Sequence, residues 1–578
     1  MNTANVPALT WRIRTRQSPF RLTWLAVLLW LACSHQALAN PQSQPHTAAE
    51  QIRHWLTLDL AMNPEDPLYH IYSASQFELL WLDADNGNLN PLGQNLLDAL
   101  TDTAADGWQN YPFQLERIHS LQQQLPAAVA DQPASATVQT IAELELHLSR
   151  AALAYARLVD QYLLLPDIQE TDQGEAVRTA LQRRSPPRDS LESLLIAIQQ
   201  QQLDLWLQQL TPQTPAYRAL RNELQRYRQL AERGDWTPLP APWELTADSH
   251  DSHVPQLRQR LLDYGDLSAA DADAAAQNPD YFDPALQQAL RHFQQRQKLP
   301  ATGTPGPQTL ARLNQPPELI ARKIALNMKR QRFMPDLPDD RFILVNAADF
   351  RLQLFEYGLE TLSMKVIVGK PARRTPVMTQ AITQLELAPT WTVPDRIARE
   401  YLLPKFRKDP TQVQRYQYRI SDRHDPGQVI DPATIDWNSV SGSHFPYRIV
   451  QAPGRLNALG QVKFLFPNTQ AIYLHDTSSP ELFRKDQRAL SFGCIRLEKP
   501  LALTEHLLAG TTGWDMTRVQ NTLKDQRQTR LSLTTPVPLY LMYWTAWVDE
   551  NGQLQLRDDV YRRDQNAGIR PTERQAGL

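Results

Sequence analysis

The hydrophobic positions follow two different periods, and the change comes near residue 342. Before it the spacing is helical. Ile141, Leu144, Leu148, Ala151, Tyr155, Leu158, Val159 and Tyr162 recur at three and four residues and predict one long amphipathic helix. Leu203, Trp206 and Leu210 mark another, and Asn86-Gly87 and Asp106-Gly107 read as turns. Residues 40–250 therefore read as a helical scaffold, with no glycine-rich phosphate loop and no metal-spaced cluster. Residues 251–315 make a compact three-helix pattern: Leu257, Leu261 and Tyr264 before Gly265, then Leu286, Leu290 and Phe293, then Thr309, Leu310 and Leu313 after the turn Leu299-Pro300-Ala301-Thr302-Gly303. Asn314, Pro316 and Pro317 open a connector helix over 316–337, carried by Leu319, Ile320, Ile324, Leu326 and Met328 and stopped by Pro335.

From Phe342 the period is two. Phe342–Asn346, Leu352–Gly358, Met364–Val368, Leu385–Pro394, Val462–Phe466 and Ala471–Leu474 read as strands, many closed by glycine. Such a succession predicts a sandwich-like or barrel-like sheet over 338–525. A C-terminal segment follows at 526–578, with a late strand at Pro538–Trp544 and its return at Leu554–Leu556. Between the strands, residues 395–450 form an insertion that begins helically at Ile397, Tyr401, Leu402 and Phe406. An insertion of that length is either a lid over a site or a packed subdomain. As a lid it would offer the aromatic and basic residues Trp437, Tyr447, Arg407 and Lys408 to whatever binds beneath it. The fold class is multidomain α+β: a helical scaffold and a three-helix domain, then a mainly β domain with a capping insertion.

The N-terminus has the form of an export signal. Arg12, Arg14, Arg16 and Arg21 precede an apolar run from Leu22 to Cys33, and Ala37-Leu38-Ala39 offers a cleavage site. The expected location is the periplasm after cleavage at 39, with an uncleaved anchor as the alternative. Loss of residues 1–39 leaves 55 basic against 62 acidic residues, a net charge of −7. That balance gives no basic stripe for nucleic acid. It also leaves Cys494 without a second cysteine in an oxidising compartment, where thiols ordinarily pair.

Cys494 lies in Ser491-Phe492-Gly493-Cys494-Ile495-Arg496, nineteen residues after the histidine of Tyr473-Leu474-His475-Asp476-Thr477. A thiol attacks as thiolate and needs a base, which His475 at a strand end can supply. Gly493 lets the backbone bend, and the N–H groups of Gly493 and Cys494 would hold an oxyanion. Ser491 would hydrogen-bond within the turn. Arg496, two residues on, falls on the face of Cys494, where it would raise the local potential or clamp a carboxylate. Tyr473 falls on the face of His475 and would line a pocket beside the thiol. The order of histidine before cysteine is the reverse of papain-like proteases.

These motifs resemble the L,D-transpeptidase catalytic domain of the YkuD type. His475, the gap, and the run from Ser491 to Arg496 carry the likeness, with Asn457-Ala458-Leu459-Gly460, Val368-Gly369-Lys370 and Pro389-Thr390-Trp391. The layout is similar to the large periplasmic branch of that family in Gram-negative bacteria. Residues 251–315 resemble the small peptidoglycan-binding domain of wall enzymes. Two positions depart from the common pattern: Phe492 stands where histidine is usual, and Asp476 where glycine is usual, which leaves His475 as the nearby base. The resemblance implies 3→3 cross-linking of peptidoglycan through a Cys494 thioester, with a tetrapeptide donor stem and a diaminopimelate acceptor. It implies acylation by carbapenems and no metal or organic cofactor. Trp391, Asn457 and Trp437 join Tyr473 as expected substrate-binding residues. Hydrolysis of stems at the same site, and a non-catalytic wall-binding scaffold, are the alternatives.

Overall fold

The computed structural model describes residues 47–567, apart from 84–86, 102–112, 126–134, 162–189, 210–213, 333, 335–336, 339 and 443–444. The N-terminal segment read as an export signal, Cys33, Asn86, Asp106-Gly107 and His444 lie outside the described residues. The chain forms two compact units.

In the first unit, which takes residues 47–97, 114–151 and 198–201, buried polar groups meet at one point. Glu145 on the helix Ser135–Gln161 accepts from the Leu80 N–H at 2.6 Å and the Tyr72 hydroxyl at 2.8 Å. Ser149, one turn on, takes the Trp81 indole N–H at 2.7 Å. Glu145 is fully buried, and burial pushes its carboxyl up to about 7.

The second unit holds the rest. The helix Pro215–Arg233 buries Tyr217, Leu220, Leu224, Tyr227 and Leu230, in one core with the connector helix Pro317–Arg332. The domain over 251–315 has helices Val254–Tyr264, Ala269–Ala274, Pro284–Arg296 and Pro307–Leu313. Leu257, Leu261, Leu286, Leu290, Phe293, Leu310 and Leu313 fill its centre, the positions that the helical spacing predicts. Gln294 is buried and bolts the glycine turn: its amide donates to Thr304 O at 2.8 Å and Thr309 Oγ1 at 3.1 Å, and accepts from Gly303 N.

Some strands of the mainly β domain, Val462–Leu465 and Ile495–Leu497 among them, alternate buried and half-buried residues, as a sheet with one packed face requires, whereas Phe342–Asn346 is buried on both faces. Its strands are β1 (Arg341–Asn346), β2 (Arg351–Glu356), β3 (Leu359–Gly369) and β4 (Met378–Leu387). The insertion contributes β5 (Trp391–Thr392), β6 (Tyr418–Asp422), β7 (Val429–Ile430) and β8 (Tyr447–Gln451). After it come β9 (Val462–Leu465), β10 (Leu474–His475), β11 (Ala489–Ser491) and β12 (Ile495–Leu497). The C-terminal segment adds β13 (Thr529–Met542), β14 (Ala546–Val548) and β15 (Leu554–Leu556). The main sheet runs β11-β3-β12-β10-β9-β4-β13-β1-β2, and pairing of β2 with β3 closes it on itself. Ile343, Val345, Leu354, Val366, Ile382, Leu385, Phe464, Leu474, Ile495 and Leu539 line its interior.

One expectation is corrected here. The late strand is 14 residues long, not a short Pro538–Trp544 segment. Pro536 and Pro538 hid it; Pro536 sits where the β13–β4 register shifts, the place in a sheet where proline is tolerated, and Pro538 pairs with Ala381 just beyond the shift. The insertion also holds more order than its opening helical pattern suggests. It is a four-stranded sheet, β5-β8-β6-β7, with its own core of Trp391, Leu402, Phe406, Val413, Ile420, Trp437, Phe445 and Ile449.

Candidate active site

Strand register places the chemistry. β10 and β12 are parallel neighbours in which Leu474 pairs with Ile495 and His475 with Arg496. Leu474 and Ile495 are fully buried in the interior. The alternate residues, Tyr473 and His475 on one chain and Cys494 and Arg496 on the other, therefore share the outer face. β9 extends the row, since His475 pairs with Lys463 on its other side. Glu386 on β4 follows Lys463, and Arg530 on β13 follows Glu386. One line of titratable residues thus crosses five adjacent strands: Arg496, His475, Lys463, Glu386, Arg530.

His475 is buried between two cations. Burial, with the charges of Arg496 and Lys463, drives its imidazole down to about 3, so the ring is neutral. Its Nδ1 faces the Asp476 carbonyl at 2.5 Å. A carbonyl only accepts, so Nδ1 carries the proton and Nε2 is left as the lone-pair nitrogen. The ring stands edge-on to Tyr473, with centroids 5.6 Å apart.

Cys494 is half-buried and free. Burial pushes its thiol up, while the Tyr473 backbone N–H, Lys463, the Tyr473 hydroxyl and Arg496 pull it down. Its Sγ lies 3.7 Å from the Ala471 carbonyl. Among the described residues no hydrogen bond joins it to the His475 ring. The resting pair is a neutral thiol and a neutral imidazole on one face; such bonds often tighten only when substrate binds.

The turn before the thiol is fixed from within. Ser491 Oγ donates to Cys494 O at 2.6 Å and accepts the Gly493 N–H at 3.0 Å. This corrects one expectation: the Gly493 N–H is already engaged and cannot serve an oxyanion. Among the described residues the Cys494 N–H makes no hydrogen bond, so it remains the donor at that position. Gly493 has φ +120°, and a Cβ there would lie 3.1 Å from Ile472.

Other expected substrate contacts are support instead. Trp437 is 2% exposed and packs on Phe406 at 4.9 Å between ring centroids. It lies in the core of the insertion. Arg407, read beside it, spends its guanidinium on the Trp437 and Val440 carbonyls. Asn457 is 1% exposed and ties three carbonyls, Pro389, Gln451 and Ala452, while its oxygen accepts the Leu459 N–H. Trp391 is buried in the same core and bonds the Tyr473 side chain. Tyr473 and Arg496 stay at the face of the thiol. Arg496 Nε is buried without a partner, as a group kept for an anion would be.

Several residues at the site escaped the sequence reading. Tyr401, on the short π-helical stretch of the insertion, sets its ring 5.5 Å from Phe492 in the nucleophile turn, and Lys370 lies over the other contact of that ring at 4.2 Å. The insertion thus reaches the turn through Tyr401, and the 371–373 segment through the Glu400–Arg373 ion pair. Lys463 was legible in principle: in Val462-Lys463-Phe464-Leu465 the alternation already places it outward. Asp476, the departure from glycine, fits because residue 460 has no side chain; a Cβ at Gly460 would stand 2.3 Å from Asp476 Cγ.

The chain matches three family models. Residues 340–520 match the YkuD model, an L,D-transpeptidase catalytic domain. Residues 66–224 match a scaffold domain, and residues 250–313 match the model described as "Putative peptidoglycan binding domain". A protein of Haemophilus influenzae named "Putative L,D-transpeptidase" is 40% identical over 250 residues, covering 43% of this chain and 50% of its own length. The match therefore spans half of that relative. Among solved structures, an L,D-transpeptidase from Xylanimonas cellulosilytica is 15% identical over 52% of this chain and 99% of its own, with a TM-score of 0.17. A fused Zn-dependent amidase/peptidase and peptidoglycan-binding protein from Clostridium acetobutylicum is 13% identical over 51% and 98%, with a TM-score of 0.14. At such scores the structural likeness carries nothing further. With the cysteine and histidine motifs seated on adjacent strands inside the matched region, residues 340–520 are a YkuD-family L,D-transpeptidase catalytic domain, carried on one chain with a scaffold domain and a domain of the peptidoglycan-binding type.

Proposed function

We propose that the chain forms 3→3 cross-links between peptidoglycan stem peptides through a Cys494 thioester. The observation that carries this is the shared outer face of β10 and β12, where a thiol and an imidazole with its Nε2 lone pair free stand beside an unpartnered Arg496. In the first half-reaction His475 Nε2 takes the thiol proton as Sγ attacks the carbonyl of the third stem residue. The tetrahedral oxyanion is held at the Cys494 N–H. The C–N bond then breaks, and the proton passes from His475 to the leaving D-alanine amine. In the second half-reaction the side-chain amine of an acceptor stem, diaminopimelate in Gram-negative walls, attacks the thioester and Cys494 recovers its proton. A neutral base suits both halves, since the same nitrogen must accept and return a proton. Arg496 fits a donor carboxylate.

Export to the periplasm through residues 1–39 belongs to this reading, and N-terminal sequencing of the mature protein tests it. The chemistry is tested by intact mass after incubation with a tetrapeptide stem or a carbapenem. The expected result is a single acyl adduct mapped to Cys494 and, with acceptor present, a cross-linked product. An adduct on another residue, or release of only hydrolysed stems, would count against cross-linking.

A further inference from the structure

Between the domain at 251–315 and the closed sheet lies a cavity of about 1200 Å³. One wall is the turn Gln297–Pro300 with Arg312; the other is the Phe350–Arg351 edge of β2, the middle of β3 and the loop 484–488. A second cavity of about 270 Å³ shares Lys298, Asp349, Arg351 and Arg557 with it and continues to Trp547. The thiol is not in either wall.

The charges in this seam do not balance locally. Asp349 is taken by Arg557 at 2.5 Å, Asp558 by Arg312 at 2.5 Å, and Arg351 turns to Glu360 at 2.7 Å. Among the described residues Lys298, Arg484 and Arg488 make no ion pair, although Asp486 and Glu498 face the same space. Arg488 spends its guanidinium on backbone carbonyls, among them Val366 and Phe350. Arg557, Arg351 and Arg488 all bear on the Lys298 amine, and with its burial they lower its pKa against the single pull of Asp349. Cations gathered around so little counter-charge hold their place at a cost that an anion would relieve. The volume exceeds the ~300–1,000 Å³ of ordinary small-molecule sites, which suits a glycopeptide better than a metabolite. Half-exposed Trp547, with Arg557 over its ring at 4.9 Å, offers the flat face that sugars take.

We propose that this seam is a second peptidoglycan site, in which Lys298 and Arg484 receive stem-peptide carboxylates and the Trp547 end bears on the sugars. The inference rests on the peptidoglycan reading above and adds a place for a strand other than the one being acylated. The C-terminal segment builds it, since Arg557 and Trp547 flank the strand β15, whose Leu554 carbonyl accepts from Arg296 at 2.5 Å.

The test uses the full chain carrying Cys494→Ala, titrated calorimetrically with a disaccharide-tetrapeptide. Lys298→Glu with Arg484→Glu changes two side chains that make no bond within the protein, so folding is spared. Affinity should fall about tenfold for each charge reversed, and a muropeptide with amidated carboxylates should bind the parent as weakly as the free acid binds the double variant. In the wild-type thiol background, carbapenem acylation of Cys494 should be unchanged by the two substitutions. Undiminished affinity in the double variant, equal binding of the amidated muropeptide, or full displacement by millimolar inorganic phosphate would each overturn the seam site. Absence of any Cys494 adduct would instead strike the peptidoglycan reading itself.

Discussion

Tyr561, close to the end of the described chain, donates its hydroxyl to the carbonyl of Gly369 at 2.8 Å. The same oxygen accepts the Thr375 N–H at 3.2 Å, and Thr375 Oγ1 donates to Gly493 O at 2.8 Å. The C-terminal segment is thereby wired to the residue before the nucleophile. Tyr543 stacks on Tyr561 at 5.1 Å and accepts its N–H at 2.9 Å, which fixes the ring from behind.

Tyr561→Phe would keep the ring and leave Gly369 O and Thr375 N–H buried without that partner. Stability should fall by about 1–3 kcal/mol, the cost of orphaning buried groups. Acylation of Cys494 should slow as well, because Thr375 loses its second anchor, while KM for the donor stays put. Denaturant midpoints and single-turnover acylation rates measure the two effects. A stability loss with an unchanged acylation rate would show that the wiring is structural only.

Two glycines near the thiol differ in what they tolerate. A Cβ at Gly369 would stand 1.9 Å from the Arg373 carbonyl, a collision of backbone with backbone. At Gly493 the nearest atom is Ile472 Cδ1 at 3.1 Å, but φ is +120°. Gly369→Ala should therefore displace the 371–375 loop and cost several kcal/mol, at the far end of single-substitution effects, ~4–5 kcal/mol. Gly493→Ala should fold with a smaller loss, of order 1–3 kcal/mol from backbone strain. Thermal melts of the two variants check the order; Gly493→Ala as the worse of the pair would refute it.

The site's core pair was legible because its signals are local. A cysteine, a glycine before it and a histidine at a strand end say thiol and base without any long-range contact. Alternation then placed Arg496 with Cys494 and Tyr473 with His475. What the sequence could not show depends on register and burial. Gly493 N–H looks available until Ser491 is seen to fold back on it. Trp437 and Asn457 look like ligand residues because aromatic and amide side chains serve both roles; only burial separates them. Tyr561 lies 67 positions beyond Cys494, and no periodicity joins a residue to the nucleophile turn when the link runs through Gly369 and Thr375. Pro536 concealed the length of β13 for the same reason: a bulge is a property of two strands, not one.

Trp437 gives a prediction about the insertion. It fills the centre of the four-stranded sheet, against Phe406 and Tyr447. Trp437→Ala should cost about 3–5 kcal/mol within that subdomain. Because Tyr401 is the insertion's contact with the nucleophile turn, loosening the subdomain should weaken donor binding before it touches thiol reactivity. Tyr401→Ala should do the same with no loss of stability. Protease susceptibility of residues 391–451, set against iodoacetamide alkylation of Cys494, separates them; a substitution that slowed alkylation and donor binding equally would contradict this division.

The pH response follows from the neutral His475. The unfolded chain protonates this ring near its ordinary value of about 6.5, and the folded one only near 3. Between those values the unfolded state holds more protons, so the ring's contribution to stability is whole above about 6.5 and is lost as pH falls toward 3. The thiol runs the other way. Its folded pKa is raised, so its contribution is whole below the ordinary thiol value and fades as pH climbs through the folded one. For chemistry, the base stays competent across the mildly acidic range. Carbapenem acylation should show no inflection between pH 5 and 7, the window where an exposed histidine would switch off. His475→Ala should slow it on the order of 10²–10⁴-fold, and the residual rate should rise steadily with pH as free thiolate accumulates. Arg496→Gln removes one of the two cations that hold the ring neutral, so it should move the acidic limb upward toward neutral pH. Stopped-flow acylation across pH 4–9 on the three proteins reads this directly. An inflection near pH 6.5 in the wild-type chain, or an unshifted limb in Arg496→Gln, would mean that His475 is not the buried neutral base described.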